Sequence, residues 1–213
     1  MSTTNPAQQL ALWADQLRDL SAMGLRYAED QYNIDRFQAI QEISVSMLAL
    51  ATGEPLDEVK RLLAPLMNHV TPLCVGDAAI INDQGQILLI QRADNQKWAM
   101  PGGAFEVGET PAEGAVREAF EEAGIRSEPM ALVGVFDSRL CQAQTRHHMY
   151  QFVFLCRPLD DGTMATPSHA NETLDLGWFT EGNLPEDLDP GHVSRVPEAF
   201  RVWRGDPYAF FDK

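Results

Sequence analysis

The stretch from Gly103 to Ile125, GAFEVGETPAEGAVREAFEEAGI, limits most tightly what this chain can fold into. It reads as a loop followed by one short helix with both ends marked. Thr110 caps, Pro111 suits the first helical position, and Glu113 completes a capping box. Gly124 is the residue that can turn left-handed after the last helical turn. Ala112, Ala115, Val116, Ala119, Phe120 and Ala123 recur at three- and four-residue spacing and make an apolar face. Glu118, Glu121 and Glu122 fall on another face, because residues three and four apart are neighbours on a helix.

Three adjacent carboxylates repel one another. A hard divalent cation offsets that repulsion, and oxygen ligands suit Mg²⁺ or Mn²⁺. The preceding Pro101-Gly102-Gly103 turn lets the backbone come close, so a main-chain carbonyl can join the set. The competing reading is a solvated acidic face, since most surface carboxylates are only surface. Gly114 sits inside the helix at a cost of about 1 kcal/mol against alanine. It either leaves room for the loop or a phosphate, or is simply tolerated.

The full spacing favours the metal. Gly103, five residues, Glu109, seven residues, then Arg117-Glu118-Ala119-Phe120-Glu121-Glu122-Ala123-Gly124-Ile125 resembles the signature of the Nudix hydrolases, with Ala119 a small residue at an aliphatic position. Nudix enzymes hydrolyse nucleoside diphosphates linked to another moiety, with a divalent metal. On this chain the resemblance implies Glu118 and Glu122 as the main metal ligands, and Glu121 as a third ligand or the base that activates water. The Gly102 carbonyl would be the main-chain ligand. Gly103 opens the motif, and Arg117 would pair with Glu109 to hold the loop against the helix. The chemistry agrees: metal ions neutralise phosphoryl oxygens and lower the pKa of a bound water, and a carboxylate can take the proton.

The formal net charge is −15, with 5 basic and 9 acidic side chains in residues 1–68 and the remaining 11 and 22 beyond them. That balance opposes broad binding of a phosphate backbone. It leaves room for a small anionic substrate, because a metal supplies local positive charge. The sequence contains neither a basic-then-apolar leader nor an apolar run long enough to span a bilayer. Cys74, Cys141 and Cys156 are odd in number and lack metal or redox spacing. Cys74 and Cys156 fall in expected strands and read as buried free thiols. A cytoplasmic protein is the expectation.

Residues 1–66 read as three helices. Asn5-Pro6 starts the first, with Leu10, Trp13, Leu17 and Leu20 as its apolar stripe, running on toward Leu25 and Tyr27. The second should begin near Asp35, with Phe37, Ile40, Ile43, Met47 and Leu50 inward and Gly53 closing it. The third starts at Pro55, with Leu56, Val59, Leu62 and Leu66 inward and Pro65 at its frayed end. So thin a core is marginal alone, which points to packing against the catalytic domain or a second subunit. The segment QLRDLSAMGLRYAEDQYNIDRFQAIQEIS, then a helix and HVTP, is similar to the helical N-terminal extension of a Nudix subgroup that includes bacterial CDP-choline pyrophosphatases.

The chain then divides as a helical unit, residues 1–68, and a Nudix domain, residues 69–213. Val75–Ile81 and Ile87–Arg92 read as strands about the Asn82-Asp83-Gln84-Gly85 turn. Met130–Phe136 and Met149–Cys156 read as two more, and Trp98 as an anchor beneath the glycine loop. The polar loop Asp137 to His148 carries Arg139 and Arg146, candidates to hold a distal phosphate or sugar. His147-His148 lacks partner spacing for zinc. Phe105, Phe136 and Tyr150 are candidates to stack a base. Asn171 to Phe179 resembles the late Nudix strand, where an acidic residue faces the site, so Glu172 is an extra metal ligand or catalytic base. Val193 to Trp203 reads as a closing helix interrupted by Pro197, and His192 and Arg195 within that region receive no role.

The expectation is an α/β protein: a Nudix-type α/β/α sandwich with a mixed sheet, preceded by a small all-α unit. The expected reaction is metal-dependent cleavage of a nucleoside diphosphate-X compound, of the CDP-choline or ADP-ribose type, to NMP and phosphorylated X. Two alternatives stand beside it: an RNA-directed Nudix hydrolase, and a non-catalytic nucleotide sensor on the same scaffold. The expected partners are a nucleotide substrate and a second copy of the chain, with no membrane.

Overall fold

A computed structural model describes residues 5–67, 71–143, 148–159, 166–169 and 171–213, without the side chains of residues 65–67. Contacts divide the chain into two compact units: residues 1–71 with 106–108, and residues 72–105 with 109–213.

The first unit holds α1 (Pro6–Tyr27), α2 (Gln31–Thr52) and α3 (Leu56–Met67). Asn5 caps α1, with Pro6 at its first turn. Asp30, rather than Asp35, caps α2, its side chain accepting from the Asn33 amide. Gly53 closes α2 in the left-handed region at φ 73°. Small residues set the α1–α2 packing. Ala14 and Ser21 are buried, and a Cβ at Gly24 would meet the Phe37 ring at 2.3 Å. Val45, Ala49 and Val59 make the small core, with Leu48 and Leu63 against it.

The inward stripes are therefore corrected. Trp13, Leu20, Tyr27, Ile43, Leu50, Leu56 and Leu62 are exposed. Val59 is buried as expected, and Leu10, Leu17, Leu25, Phe37, Ile40 and Met47 are half-buried, while small side chains line much of the α1–α2 contact. Leu66 and Pro65 lie outside the residues whose side chains are described.

The second unit is built on two sheets. In chain order its elements are β1 (Leu73–Ile80), β2 (Gln86–Arg92), β3 (Trp98–Ala99), β4 (Gly102–Ala104), α4 (Pro111–Ala123), β5 (Ser127–Asp137), β6 (Met149–Pro158), β7 (Thr173–Thr180), a 3₁₀ turn (Glu181–Asn183), α5 (Pro190–Val193), α6 (Arg195–Trp203) and β8 (Phe210–Phe211). One sheet has the order β4-β1-β6-β5-β8 and the other β3-β2-β7. β1 runs parallel to β6, from Leu73 opposite Met149 to Ile80 opposite Cys156, and antiparallel to β4. Directions are mixed, as expected for this fold class.

Alternation explains the unbroken apolar runs of β1 and β2. Ala79, Ile87 and Leu89 enter a core with Val133, Phe136, Val153, Val196 and Phe200. Their neighbours Ala78, Ile80, Leu88 and Ile90 enter a second core with Ala115, Ala119, Ala123 and Ile125. A sheet covered on both faces needs apolar side chains at both parities. Trp98 packs against the first core, edge-on to Phe179 at 5.0 Å.

Three readings change here. Cys74 is exposed, because the first turns of β1 are not yet covered, whereas Cys156 is buried. Phe120 is 39 % exposed, so alanines form the buried face of α4. Pro197 does not interrupt the last helix. It is the third residue of α6, in the first turn, where a missing N–H costs nothing. A short helix, α5, precedes it.

Candidate active site

α4 forms as its sequence requires. The Thr110 hydroxyl accepts from the Glu113 amide, and the Glu113 carboxylate accepts from the Thr110 amide, closing the capping box. Gly124 ends the helix at φ 67°. The Ala115, Ala119 and Ala123 face is buried, so the acidic face is turned away from the core, against the glycine loop.

Arg117 organises the outer part of that face. Its Nε and one terminal nitrogen donate to the two oxygens of Glu109, each at 3.0 Å. The same terminal nitrogen reaches the Ala104 carbonyl at 3.1 Å. The other terminal nitrogen donates to Glu118 and to Glu121, each at 3.0 Å. A planar guanidinium is suited to such a fork, and it ties loop, helix and two carboxylates together.

Glu122 lies deeper. It is 8 % exposed, and the Gly102 amide donates to its Oε2 at 2.9 Å. Burial pushes its carboxyl up to about 7; the Gly102 amide opposes the shift, while Glu118 and Glu172 add to it. Burial also raises Glu118, against the opposing Arg117. Negative charge is thus under-compensated at these two groups. Among the described residues, the ligand atoms that lie within 4.8 Å of one another are one each from Glu118, Glu121 and His169, with Glu118 acting on Glu122 through its charge. That is the environment a divalent cation suits.

The glycines give the clearance. A Cβ at Gly102 would lie 2.2 Å from the Gly76 carbonyl oxygen, and one at Gly103 2.6 Å from the Glu118 carboxyl carbon. A Cβ at Gly114 would meet Glu109 at 2.5 Å and Phe105 at 2.6 Å. Gly114 therefore makes room for the loop.

Glu172 belongs to the same neighbourhood. Its amide donates to the His169 carbonyl and its own carbonyl accepts from Ala93, both at 2.9 Å, while its charge acts on Glu122. The remaining candidates are dispersed. Phe136 is 1 % exposed and stacked on Phe210 at 4.6 Å, so the core holds it and no base can stack on it. The Arg139 guanidinium is held by Asp137, with contacts of 2.5 to 3.2 Å. Tyr150 is half-exposed, edge-on to His148 at 5.1 Å. Phe105 packs beside Phe152 at 5.6 Å. Arg146 and His147 lie outside the described residues.

Several residues near the site escaped the sequence reading. Arg92, at the end of β2, pairs with Asp94 at 2.6 Å, and its charge acts on Glu122. His169 lies against Glu121. Behind the glycine loop, Arg195 is 1 % exposed and paired with Asp77, which stands opposite Gly102 in the β1–β4 register. The His192 ring accepts the Met100 amide at 3.2 Å, one residue before Pro101. The available signal was Asp77 itself, an acid in an apolar strand, which requires a buried partner.

Known proteins resemble this chain in both of its parts. Residues 72–199 match the family model described as the NUDIX domain, and residues 8–63 match one described as a UDP-X-like N-terminal oligomerisation domain. A Bacillus subtilis protein provisionally named as an ADP-ribose pyrophosphatase is 28 % identical over 172 residues, 81 % of each chain. A solved UDP-X diphosphatase aligns with a TM-score of 0.60 and 27 % identity over 96 % of this chain and 99 % of that one. An ADP-ribose pyrophosphatase from Streptococcus suis aligns at TM-score 0.56 and 29 % identity, over 67 % of this chain and all (100 %) of that one.

Proposed function

Because this chain belongs to the Nudix family of hydrolases acting on phosphoanhydride bonds, we propose that its substrate is a nucleoside diphosphate linked to a second moiety. Water attacks one phosphorus, the bridging P–O bond breaks, and NMP and phosphorylated X leave. The observation that carries this reading is the similarity to a UDP-X diphosphatase over 96 % of the chain, including the helical N-terminal unit. UDP-linked compounds therefore join CDP-choline and ADP-ribose as the substrates to test.

Glu118, Glu121, Glu122 and the Gly102 carbonyl are the proposed ligands of Mg²⁺ or Mn²⁺. When bound, the ion neutralises phosphoryl oxygens, lowers the pKa of a coordinated water and stabilises the leaving phosphate. The chain's own part is to hold the groups still. Arg117 fixes Glu118 and Glu121, and the Gly102 amide fixes Glu122. With Glu121 a ligand, Glu172 takes the proton from the attacking water; Glu121 takes that part only where it is not a ligand. Arg92, at the rim, is a candidate to meet the substrate phosphates.

The domain division at residues 68/69, a cytoplasmic setting and a homodimer complete the proposal. The dimer is supported by the oligomerisation-domain match and by the outward Trp13, Leu20, Ile43, Leu50 and Leu62. A monomer mass that does not change with concentration in sedimentation would refute it. Among the described residues no helix is long and apolar enough to cross a membrane.

The test is a hydrolysis screen with Mg²⁺ or Mn²⁺ over UDP-sugars, CDP-choline, ADP-ribose, NTPs and a 5′-triphosphorylated RNA. NMP release from one diphosphate-X compound, abolished by chelator, is the expected result. Turnover of the RNA alone would replace this reading, as would binding without turnover on every compound.

A further inference from the structure

Where the loop before β7 returns to the site, its last turn is pinned at two points. The His169 amide donates to the Glu121 carbonyl at 2.9 Å. That carbonyl is in the last turn of α4, where helical acceptors lack partners within the helix. The His169 carbonyl in turn accepts the Glu172 amide at 2.9 Å. The backbone of one histidine is thus held between the carboxylate helix and Glu172, in the turn just before β7.

The imidazole then lies over the carboxylates. Nδ1 is 3.7 Å from Oε2 of Glu121. That is too long for a hydrogen bond. One ligand atom from each of Glu118, Glu121 and His169 lies within 4.8 Å of the other two. The imidazole is 45 % exposed, open to solvent on its remaining side. Glu118 and Glu121 already share an Arg117 nitrogen, so the Glu121 carboxylate is fixed without help from His169. A ring held close to two carboxylate oxygens, yet bonded to neither, suits a shared ion between them.

We infer that His169 is a nitrogen ligand of the divalent ion that Glu118 and Glu121 hold, adding one imidazole to an all-oxygen set. The inference rests on the metal-dependent reading above and gives the site a selectivity. Imidazole favours first-row transition ions, whereas Mg²⁺ prefers oxygen alone. This chain therefore binds Mn²⁺ in preference to Mg²⁺, and His169 supplies part of the difference.

The experiment titrates Mn²⁺ into the metal-free, full-length protein and records pulsed EPR for nitrogen coupling. The wild type is expected to show the ¹⁴N modulation of a coordinated imidazole. His169→Ala keeps both backbone hydrogen bonds. It should still bind Mn²⁺, without that modulation and about tenfold or more weaker, while Mg²⁺ competition changes less. Circular dichroism and thermal melting check that the variant is folded; His169→Gln serves as a second variant. Bound Mn²⁺ without nitrogen coupling in the wild type overturns the inference and leaves the carboxylate site standing. Modulation that persists in His169→Ala overturns it as well, by assigning another nitrogen. No Mn²⁺ binding by the wild type would overturn the metal-dependent reading itself.

Discussion

Gly102 and Glu122 are twenty residues apart in the chain, yet the amide of one donates to the carboxylate of the other at 2.9 Å. The contact fixes a buried carboxyl against the first residue of β4, where a Cβ has no room. A Cβ at Gly102 would press on the Gly76 carbonyl and the Asp77 backbone, whereas one at Gly103 would press only on the end of the Glu118 side chain.

The two glycines should therefore fail differently. Gly102→Ala must move backbone and is expected to lose about 1–3 kcal/mol of stability along with activity. Gly103→Ala only displaces a carboxylate, so it should lose activity with a smaller loss of stability. Urea unfolding and initial rates on both variants check this. Equal stability losses would contradict it.

Arg117 should tolerate no cation but its own. It grips both oxygens of Glu109 and reaches Glu118, Glu121 and the Ala104 carbonyl. Lysine cannot reproduce that fork. Arg117→Lys is expected to cost about 2 kcal/mol and to lower kcat as the loop loosens. A variant with wild-type stability and rate would show that the fork is dispensable.

The pair formed by Asp77 and Arg195 is buried, so breaking one side should cost more than removing both. Burial pushes the Asp77 carboxyl up, and Arg195 opposes that shift. Arg195→Met strands the acid and is expected to cost about 3–5 kcal/mol, while Asp77→Leu with Arg195→Met should recover part of the loss. Urea midpoints of the singles and the double decide it.

His192 gives acid sensitivity of defined sign. Burial, with Arg195 and Arg92 nearby, holds its pKa well below 6.5. The folded state then binds fewer protons at this site than the unfolded chain, so its contribution is present above pH 6.5 and is lost as pH falls below that value. Between about pH 7.5 and about pH 5.5 the wild type should lose more stability than His192→Asn, whose side-chain oxygen can still accept the Met100 amide. Parallel losses in the two proteins would remove His192 as the cause.

Local signals carried most of what was legible in the sequence. Thr110, Pro111, Glu113 and Gly124 bound α4 because caps are set by neighbouring residues. The Glu109–Arg117 pair was legible from the family spacing. What stayed hidden depends on contacts between distant segments. His169 lies 48 residues after Glu121, and nothing local says that its loop folds back onto α4. Arg195 received no role because its partner, Asp77, is 118 residues away. Phe136 was misplaced because an aromatic at a strand end serves a core as readily as a base. The outward Trp13 and Leu50 were misread because an apolar stripe on a helix does not say whether the rest of the same unit covers it.

The most direct measurement is product release by the wild type and Glu122→Gln, side by side, with Mn²⁺ or Mg²⁺ and then with chelator. The Glu122→Gln variant is expected to keep the fold and the hydrogen bond to Gly102, and to lose turnover by about a hundredfold or more, with chelator silencing the wild type to the same degree. An active Glu122→Gln protein, or a wild type indifferent to chelator, would contradict the assignment of these carboxylates to metal-dependent hydrolysis.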